Sequence, residues 1–282
     1  MRRIGKPGRL YLAGLLCVLM RPLLAMGQGG SAWENYKNAA LEAYEQGNNA
    51  EAERLFKNSL AEAEKQDRND RRVASSLQLL GDFYLATARH LEASEYSGRL
   101  LDLLTRNLGP DHPALAVPLR LLAKAKQGER KYVEVEQLFR RALAVLEKAA
   151  GADPSTAVAS VCEELAGFYV TRQRYSEAES LYRRSLLILE NAFGPNDPPV
   201  AAVLNNLAGV NFAQGNFTAA EPLYKRSLAI LEQAFGPQHP NTAPILTNYA
   251  SVLRKIGRTA EAVELEARAK AILSRLAQSH SR

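Results

Sequence analysis

Residues able to perform acid–base, nucleophilic or metal chemistry are few and scattered in this sequence. The four histidines are His90, His112, His239 and His280, and no HxxxH or CxxC spacing brings metal-ligating side chains together. Glu163 and Glu164 are sequence neighbours, so they need not face each other as a catalytic pair would. No glycine-rich loop of the phosphate-binding kind occurs. The sequence therefore predicts a protein that is not an enzyme and that uses no cofactor or metal ion.

The first 27 residues have the organisation of a secretory signal peptide. A basic stretch, Met1–Arg9, precedes the apolar run Leu10–Met20, and small residues shortly before Gln28 suit cleavage there. An apolar helix of this length rises only about 16 Å, roughly half of a bilayer core. We therefore predict a signal peptide over residues 1–27 and an exported protein, periplasmic or secreted, of bacterial origin. The alternative is a retained leader that anchors the chain in a membrane.

Cysteine usage indicates no redox site. Once Cys17 leaves with the leader, Cys162 is the remaining thiol, so no intramolecular disulfide can form. Cys162 lies on an apolar face with helical spacing, which favours a small core residue over a redox or nucleophilic thiol.

The positive net charge belongs mostly to the leader. The whole chain has 36 Lys and Arg against 30 Asp and Glu, a formal net charge of +6. Residues 1–27 contain five of these basic residues and no acidic one, which leaves a net charge of +1 for the remainder. There, Arg140 and Arg183 follow Glu136 and Glu179 by four residues, the spacing of stabilising ion pairs on a helix. We therefore predict no nucleic-acid partner.

One sequence pattern recurs six times along the chain. A first marker position carries a small residue in every copy: Ala40, Gly81, Ala123, Ala166, Ala208 and Ala250. A second marker follows about twelve residues later: Ala52, Ala93, Val135, Ala178, Ala220 and Ala262. Such a period is typical of a stacked repeat array, in which each unit buries its apolar faces against its neighbours. An array of this kind offers an extended surface rather than an enclosed catalytic pocket.

Each repeat has the pattern of two helices. Apolar residues recur at steps of three and four, break at a short polar turn such as Gln214-Gly215-Asn216, and then resume. Glycine followed by proline ends three of the six second helices, at Gly109, Gly194 and Gly236. We therefore predict an all-α array over residues 28–282 with six antiparallel helix pairs. Their approximate bounds are 31–72, 73–115, 116–158, 159–200, 201–242 and 243–282.

The recurring residues carry a family resemblance. The pattern LNNLAGxxxxQG…AEPLYKRSLAILE…FGPxHP, clearest from Val203 onwards, resembles tetratricopeptide repeats of the 42-residue kind found in kinesin light chains. Repeat one departs from it by lacking the Gly-Pro turn, and repeat three by its bulkier Val135 and an early glycine at Gly128. The resemblance implies a right-handed α-solenoid of stacked antiparallel helix pairs.

The resemblance also implies a peptide-binding or protein-binding groove on the concave face formed by the first helices. In such repeats, an asparagine two residues before the small residue often binds the backbone of an extended ligand. Asn38, Asn206 and Asn248 occupy that position, and Asn205 adjoins one of them. An amide suits this role because it donates and accepts hydrogen bonds together. The alternative roles are a solvated side chain or a bond between neighbouring repeats.

Charged residues vary along the predicted groove. Repeat three should present Arg120 and Lys124, and repeat four Glu163 and Glu164. Repeat six should present Arg254 and Lys255, which would favour acidic side chains at that end of a ligand.

Two functions of different classes follow from these patterns. The first is a scaffold that binds a peptide or partner protein in the groove. The second is an assembly element that oligomerises through its ends or edges without a peptide ligand. The polar last helix, from about Thr259, favours a capped scaffold.

Overall fold

The computed structural model describes residues 31–65, 71–151 and 155–279, and the predicted signal peptide lies outside these ranges. Within them the chain forms twelve α-helices and one short 3₁₀ turn at Pro113–Leu115, and no strand. The first helices of the six pairs are α1 (Ala32–Glu45), α3 (Arg71–Ala86), α5 (Ala116–Gly128), α7 (Thr156–Thr171), α9 (Pro198–Ala213) and α11 (Thr242–Lys255). The second helices are α2 (Asn49–Glu64), α4 (His90–Leu108), α6 (Tyr132–Ala150), α8 (Tyr175–Phe193), α10 (Phe217–Phe235) and α12 (Thr259–Ser279). The all-α prediction of successive helix pairs is confirmed.

The described residues divide into two compact units, one ending at Glu62 and the other beginning at Ala63. In the first unit, Ser31 begins α1 with a capping box, because its hydroxyl accepts from the Glu34 N–H while Glu34 accepts from the Ser31 N–H. The small markers Ala40 and Ala52 are both fully buried there, at 0% exposure.

In the second unit, each helix from α3 to α12 packs against the next along the chain. The small marker residues make this close packing possible: Ala123, Ala166, Ala208 and their counterparts in the second helices are fully buried. Large side chains such as Phe139 and Tyr224 fill the space between pairs. One continuous apolar core runs from Leu115 to Ile272. The stacked-repeat prediction therefore holds for this unit.

Each first helix ends in the same turn, whatever residue occupies it. The second residue beyond the helix has a positive φ at Gly215 and Gly257, but also at Ala88, Arg130 and Gln173. The following N–H bonds back to the carbonyl five residues earlier, as from Arg174 to Tyr169 at 2.9 Å. This is the helix-ending turn that favours glycine. The packed repeats impose it even where the side chain disfavours a left-handed conformation.

Repeat three carries its glycine earlier for a different reason. Gly128 is the last residue of α5 and does not hold the positive φ of this turn, which falls on Arg130. A Cβ at Gly128 would lie only 2.2 Å from the ring of His90, the first residue of α4. Gly128 is thus required by close approach of a neighbouring repeat rather than by its own backbone conformation.

Candidate functional site

The histidines of the turns and the cysteine serve the fold. His112 Nδ1 accepts a hydrogen bond from the Ala114 N–H and His239 Nδ1 accepts one from the Asn241 N–H, each at 3.2 Å. Cys162 lies in the core, where burial raises its pKa to about 11 and keeps the thiol protonated at neutral pH. Among the residues that the structure describes, no group of three or more His, Cys, Asp or Glu is arranged to hold a metal ion.

The first helices of repeats two to six share a side that the core does not cover. It contains the positions three and two residues before the first marker and one residue after it, which lie on one side of a helix. We call this surface the first-helix face. Its polar members are Gln78, Asp82, Arg120, Lys124, Glu163, Glu164, Asn205, Asn206, Thr247, Asn248 and Ser251, all half-buried or exposed. The predicted groove residues Asn205, Asn206 and Asn248 therefore lie on a common surface of the second unit, whereas Arg254 and Lys255 are not among its members.

The half of the face nearer repeat two is charged. Arg120 on α5 binds Glu164 on α7 with two hydrogen bonds of 2.8 and 2.7 Å, and Lys124 reaches the same carboxylate at 2.6 Å. Burial raises the pKa of Glu164, but the hydrogen bond from Arg120 and the charge of Lys124 outweigh it and hold the pKa below its usual value. On α3, burial raises the pKa of Asp82 to about 6, although Lys124 and Arg120 oppose that shift. The two basic side chains are thus largely neutralised within the protein.

The half nearer repeat six is neutral and rich in amides. Asn248 Nδ2 on α11 donates to Asn205 Oδ1 on α9 at 3.1 Å, and both side chains are half-buried. The bond uses one donor and one acceptor, so the two amides together keep both donors and acceptors for another molecule. If either amide group is flipped, the pair still keeps both hydrogen-bond donors and acceptors.

Two of the cross-helix contacts, Arg120–Glu164 and Asn205–Asn248, follow one geometric rule. In each, the residue three positions before the marker bonds to the residue two positions before the marker of the next repeat: Arg120 to Glu164, and Asn205 to Asn248. Asn206, one residue further along α9, is rotated about 100° around the helix and is not the partner of Asn248. Adjacent first helices are therefore connected diagonally, a relation that alignment of equivalent positions misses.

The remaining sequence-predicted site residues lie apart from this pair. Arg254, at the end of α11, forms two hydrogen bonds of 2.8 and 2.7 Å with Glu266 on α12. Lys255 beside it is exposed. Asn38 is an exposed residue of α1 in the first unit, and the structure links it to none of the others.

A sequence profile for tetratricopeptide repeats matches residues 72–148, 155–233 and 199–275, which together make up more than half of the chain. The chain belongs to the tetratricopeptide repeat family. No curated protein matches the sequence.

Solved structures share this tetratricopeptide fold at low identity. A protein from Podosopora anserina, described as kinesin light chain nearly identical TPR-like repeats, has a TM-score of 0.63 and 22% identity, covering 72% of this chain and 95% of that one. BtubC (BKLC) from P. vanneervenii has a TM-score of 0.68 and 19% identity, covering 88% and 93%. A Rap protein in complex with Competence and Sporulation Factor has a TM-score of 0.56 and 14% identity, covering 87% and 76%. The chain shares the tetratricopeptide fold of these structures.

The Arg254–Glu266 pair replaces apolar contacts of the inner tetratricopeptide repeats. In repeat five the equivalent positions hold Tyr224, which belongs to the core, and Phe212, which is partly buried and packs against it. Lys270 likewise stands where repeat five has the buried Leu228. These polar replacements are typical of a terminal repeat whose outer side faces water. Arg254 is therefore explained by capping of the array.

Several arginines of the second helices are also engaged by glutamates. Arg183 pairs with Glu179 four residues before it at 2.7 Å, as the sequence predicts. Arg184 instead reaches Glu147 of the preceding repeat at 2.6 Å, and Arg226 similarly reaches Glu190 at 2.7 Å. These carboxylates offset the charge of Arg183, Arg184 and Arg226, which makes this part of the second helices a weak candidate for anion binding.

Proposed function

We propose that this tetratricopeptide protein is a non-enzymatic interaction scaffold that binds an extended segment of a partner protein along its first-helix face. The observation that carries the proposal is the Asn205–Asn248 bridge, two half-buried amides joined across α9 and α11. A peptide unit offers one N–H and one C=O, and the bridge retains the complementary acceptor and donor.

The character of the face supports an extended peptide over a charged ligand. Arg120 and Lys124 are already occupied by Glu164, so they offer little to a phosphate or to nucleic acid. The amide half carries no formal charge between Asn205 and Asn248, and therefore suits main-chain recognition. The Rap protein that shares this fold was solved with Competence and Sporulation Factor, which provides a precedent for ligand binding by such an array.

The competing role, oligomerisation through the ends of the array, has one observation in its favour. Leu273 on α12 is 52% exposed, whereas the equivalent Leu231 is 8% exposed beneath the next repeat. Glu266 and Lys270 line the same shallow groove, and a partner there would have to desolvate both charges. The peptide scaffold is therefore the better-supported function.

The proposal is tested by replacing both Asn205 and Asn248 with alanine. Peptides enriched on the wild-type protein from a displayed random library serve as the probe. We expect the double variant to bind them about tenfold more weakly or worse, because each lost hydrogen bond contributes about 0.5–1.5 kcal/mol. Titration calorimetry measures the affinity.

Asn191→Ala, an exposed change on α8, is the matched control and should bind as wild type does. The melting temperature of the double variant should fall by a few degrees at most, because the half-buried amides lie outside the core and the hydrogen bond between them contributes only about 0.5–1.5 kcal/mol. An unchanged peptide affinity would show that the bridge is not part of the binding site. An unfolded double variant would show that the bridge serves the fold.

We also propose that the leader over residues 1–27 exports this scaffold, so that it acts in the periplasm or outside the cell. The basic and apolar segments before Gln28 support export. No helix among the described residues is long and apolar enough to cross a membrane. Amino-terminal sequencing of the exported protein should give a start near Gln28. An intact Met1 in a soluble periplasmic fraction would contradict cleavage.

A further inference from the structure

Two glycines leave bare backbone on the first-helix face. Gly167 on α7 and Gly209 on α9 follow the first marker directly, where other repeats carry Asp82, Lys124 or Ser251. A Cβ at Gly209 would lie 3.5 Å from the hydroxyl of Tyr224, and one at Gly167 would lie 3.8 Å from the hydroxyl of Tyr182. The tyrosine hydroxyls of the second helices therefore extend beneath the face at the two points where no side chain covers them.

Tyr224 is the clearer case because its hydroxyl has no partner among the described residues. The residue lies on α10 and is only 3% exposed. The hydroxyl forms no hydrogen bond to any described residue. Its oxygen is also not fully enclosed by the protein. The ring is thus buried while the hydroxyl oxygen stays open at Gly209. Burial raises the pKa of Tyr224 to about 12, so the hydroxyl remains protonated and can donate.

The open hydroxyl adjoins the amide bridge. Asn205 lies four residues before Gly209, one helical turn away on the same side of α9, and Asn248 reaches Asn205 from α11. The Asn205 amide and the Tyr224 hydroxyl therefore lie near positions of α9 that are one helical turn apart. A side chain at position 209 would fill this space, and its absence allows a ligand to approach closely.

We propose that the Tyr224 hydroxyl is a contact at the floor of the binding site and hydrogen-bonds to the main chain of an extended peptide crossing α9 at Gly209. The inference rests on the proposed function and adds a residue from a second helix to a site otherwise built from first helices. The glycine explains the access, the buried ring fixes the position of the hydroxyl, and the unpaired hydroxyl supplies the interaction.

The test compares Tyr224→Phe with wild-type protein, using the same library-enriched peptides as the probe. Phenylalanine keeps the buried ring and removes the hydroxyl. We expect peptide affinity to fall about threefold to tenfold, as for loss of one hydrogen bond. The melting temperature should not fall, because the hydroxyl stabilises no contact within the described protein.

Two further variants keep the result interpretable. Gly209→Ala places a methyl group at ordinary contact distance over the hydroxyl and should lower peptide affinity in the same way. Alanine favours the helical conformation, so this change should not destabilise α9. Tyr249→Phe is the matched control, because the Tyr249 hydroxyl contacts Glu221 instead of the open face. It should leave peptide affinity unchanged.

The possible outcomes distinguish failure of the floor contact from failure of the peptide-binding function. If Tyr224→Phe binds as tightly as wild type while the Asn205/Asn248 double variant loses the peptide, the floor contact is wrong and the peptide-binding function stands. A melting temperature lowered by several degrees in Tyr224→Phe would show a structural hydroxyl and also overturn the inference. If the wild-type protein enriches no peptide, the proposed function fails and the floor contact fails with it.

Discussion

Replacing Leu204 with alanine should lower the free energy of unfolding by about 2–5 kcal/mol. Leu204 is 0% exposed on α9, directly beside Asn205, and belongs to the core that runs through the second unit. Removing its side chain forfeits apolar burial and leaves a cavity that neighbouring helices only partly fill. Urea denaturation followed by circular dichroism measures the change.

Leu187→Ala supplies the matched control, since it makes the same chemical change at a residue of α8 that is 60% exposed. Its effect should stay within about 0.5 kcal/mol. Amide exchange should quicken in α9 and α10 of the Leu204 variant more than in α3, because repeats contact only their neighbours. Equal losses of unfolding free energy in the two variants would contradict a core that passes behind the first-helix face.

Replacing Glu129 with glutamine should lower the free energy of unfolding by about 2 kcal/mol at neutral pH. The side chain of Glu129 is 5% exposed and contacts Lys131 at 2.7 Å, Lys126 at 3.3 Å and the Ser94 hydroxyl on α4. Burial raises the pKa of Glu129, but the hydrogen bonds from Lys131, Ser94 and Lys126 outweigh it and bring the pKa to about 2. The carboxylate thus connects repeat three to repeat two.

The pH dependence of this effect has a definite sign. Because the pKa of Glu129 is lower in the folded protein than in the unfolded chain, its stabilising contribution is present above about pH 5 and is lost as pH falls towards 2. The stability difference between wild type and Glu129→Gln should therefore shrink over that range. Glu134→Gln is the control, since Glu134 is 50% exposed and lies 3.9 Å from the same Lys126. A difference that persists at pH 2 would contradict the role of the charge.

Much of the fold is predictable from the sequence because its determinants are local and repeated. Small residues such as Ala166 and Ala208 mark where helices approach, and Gly215 and Gly257 mark where first helices end. The same turn at Gln173 carries no such signal, because packing of the flanking helices imposes the positive φ there.

The sequence predicts which residues lie on the first-helix face, but it does not predict which of their side chains bond to each other. Equivalent positions identify Asn206 and Asn248 as a pair, but neighbouring helices meet diagonally and Asn248 bonds to Asn205. Arg254 has the position of a ligand contact, yet it binds Glu266 twelve residues later on the next helix. Such choices depend on the offset between packed helices, which the sequence period alone does not specify.

The floor contact that we propose at Gly209 has a sequence signal that can be interpreted only with the structure. Gly167 and Gly209 interrupt a position that is polar in three of the other repeats, and Tyr182 and Tyr224 follow each by fifteen residues. The relation becomes meaningful once the structure places each hydroxyl within 4 Å of the missing Cβ.

The most direct test of peptide binding on the first-helix face is a crystal structure of the full chain with a library-enriched peptide. We expect the peptide main chain within hydrogen-bond distance of Asn205 and Asn248, crossing α9 at Gly209. A peptide seated on the second helices or on the α12 end of the array, with the first-helix face uncovered, would contradict this assignment.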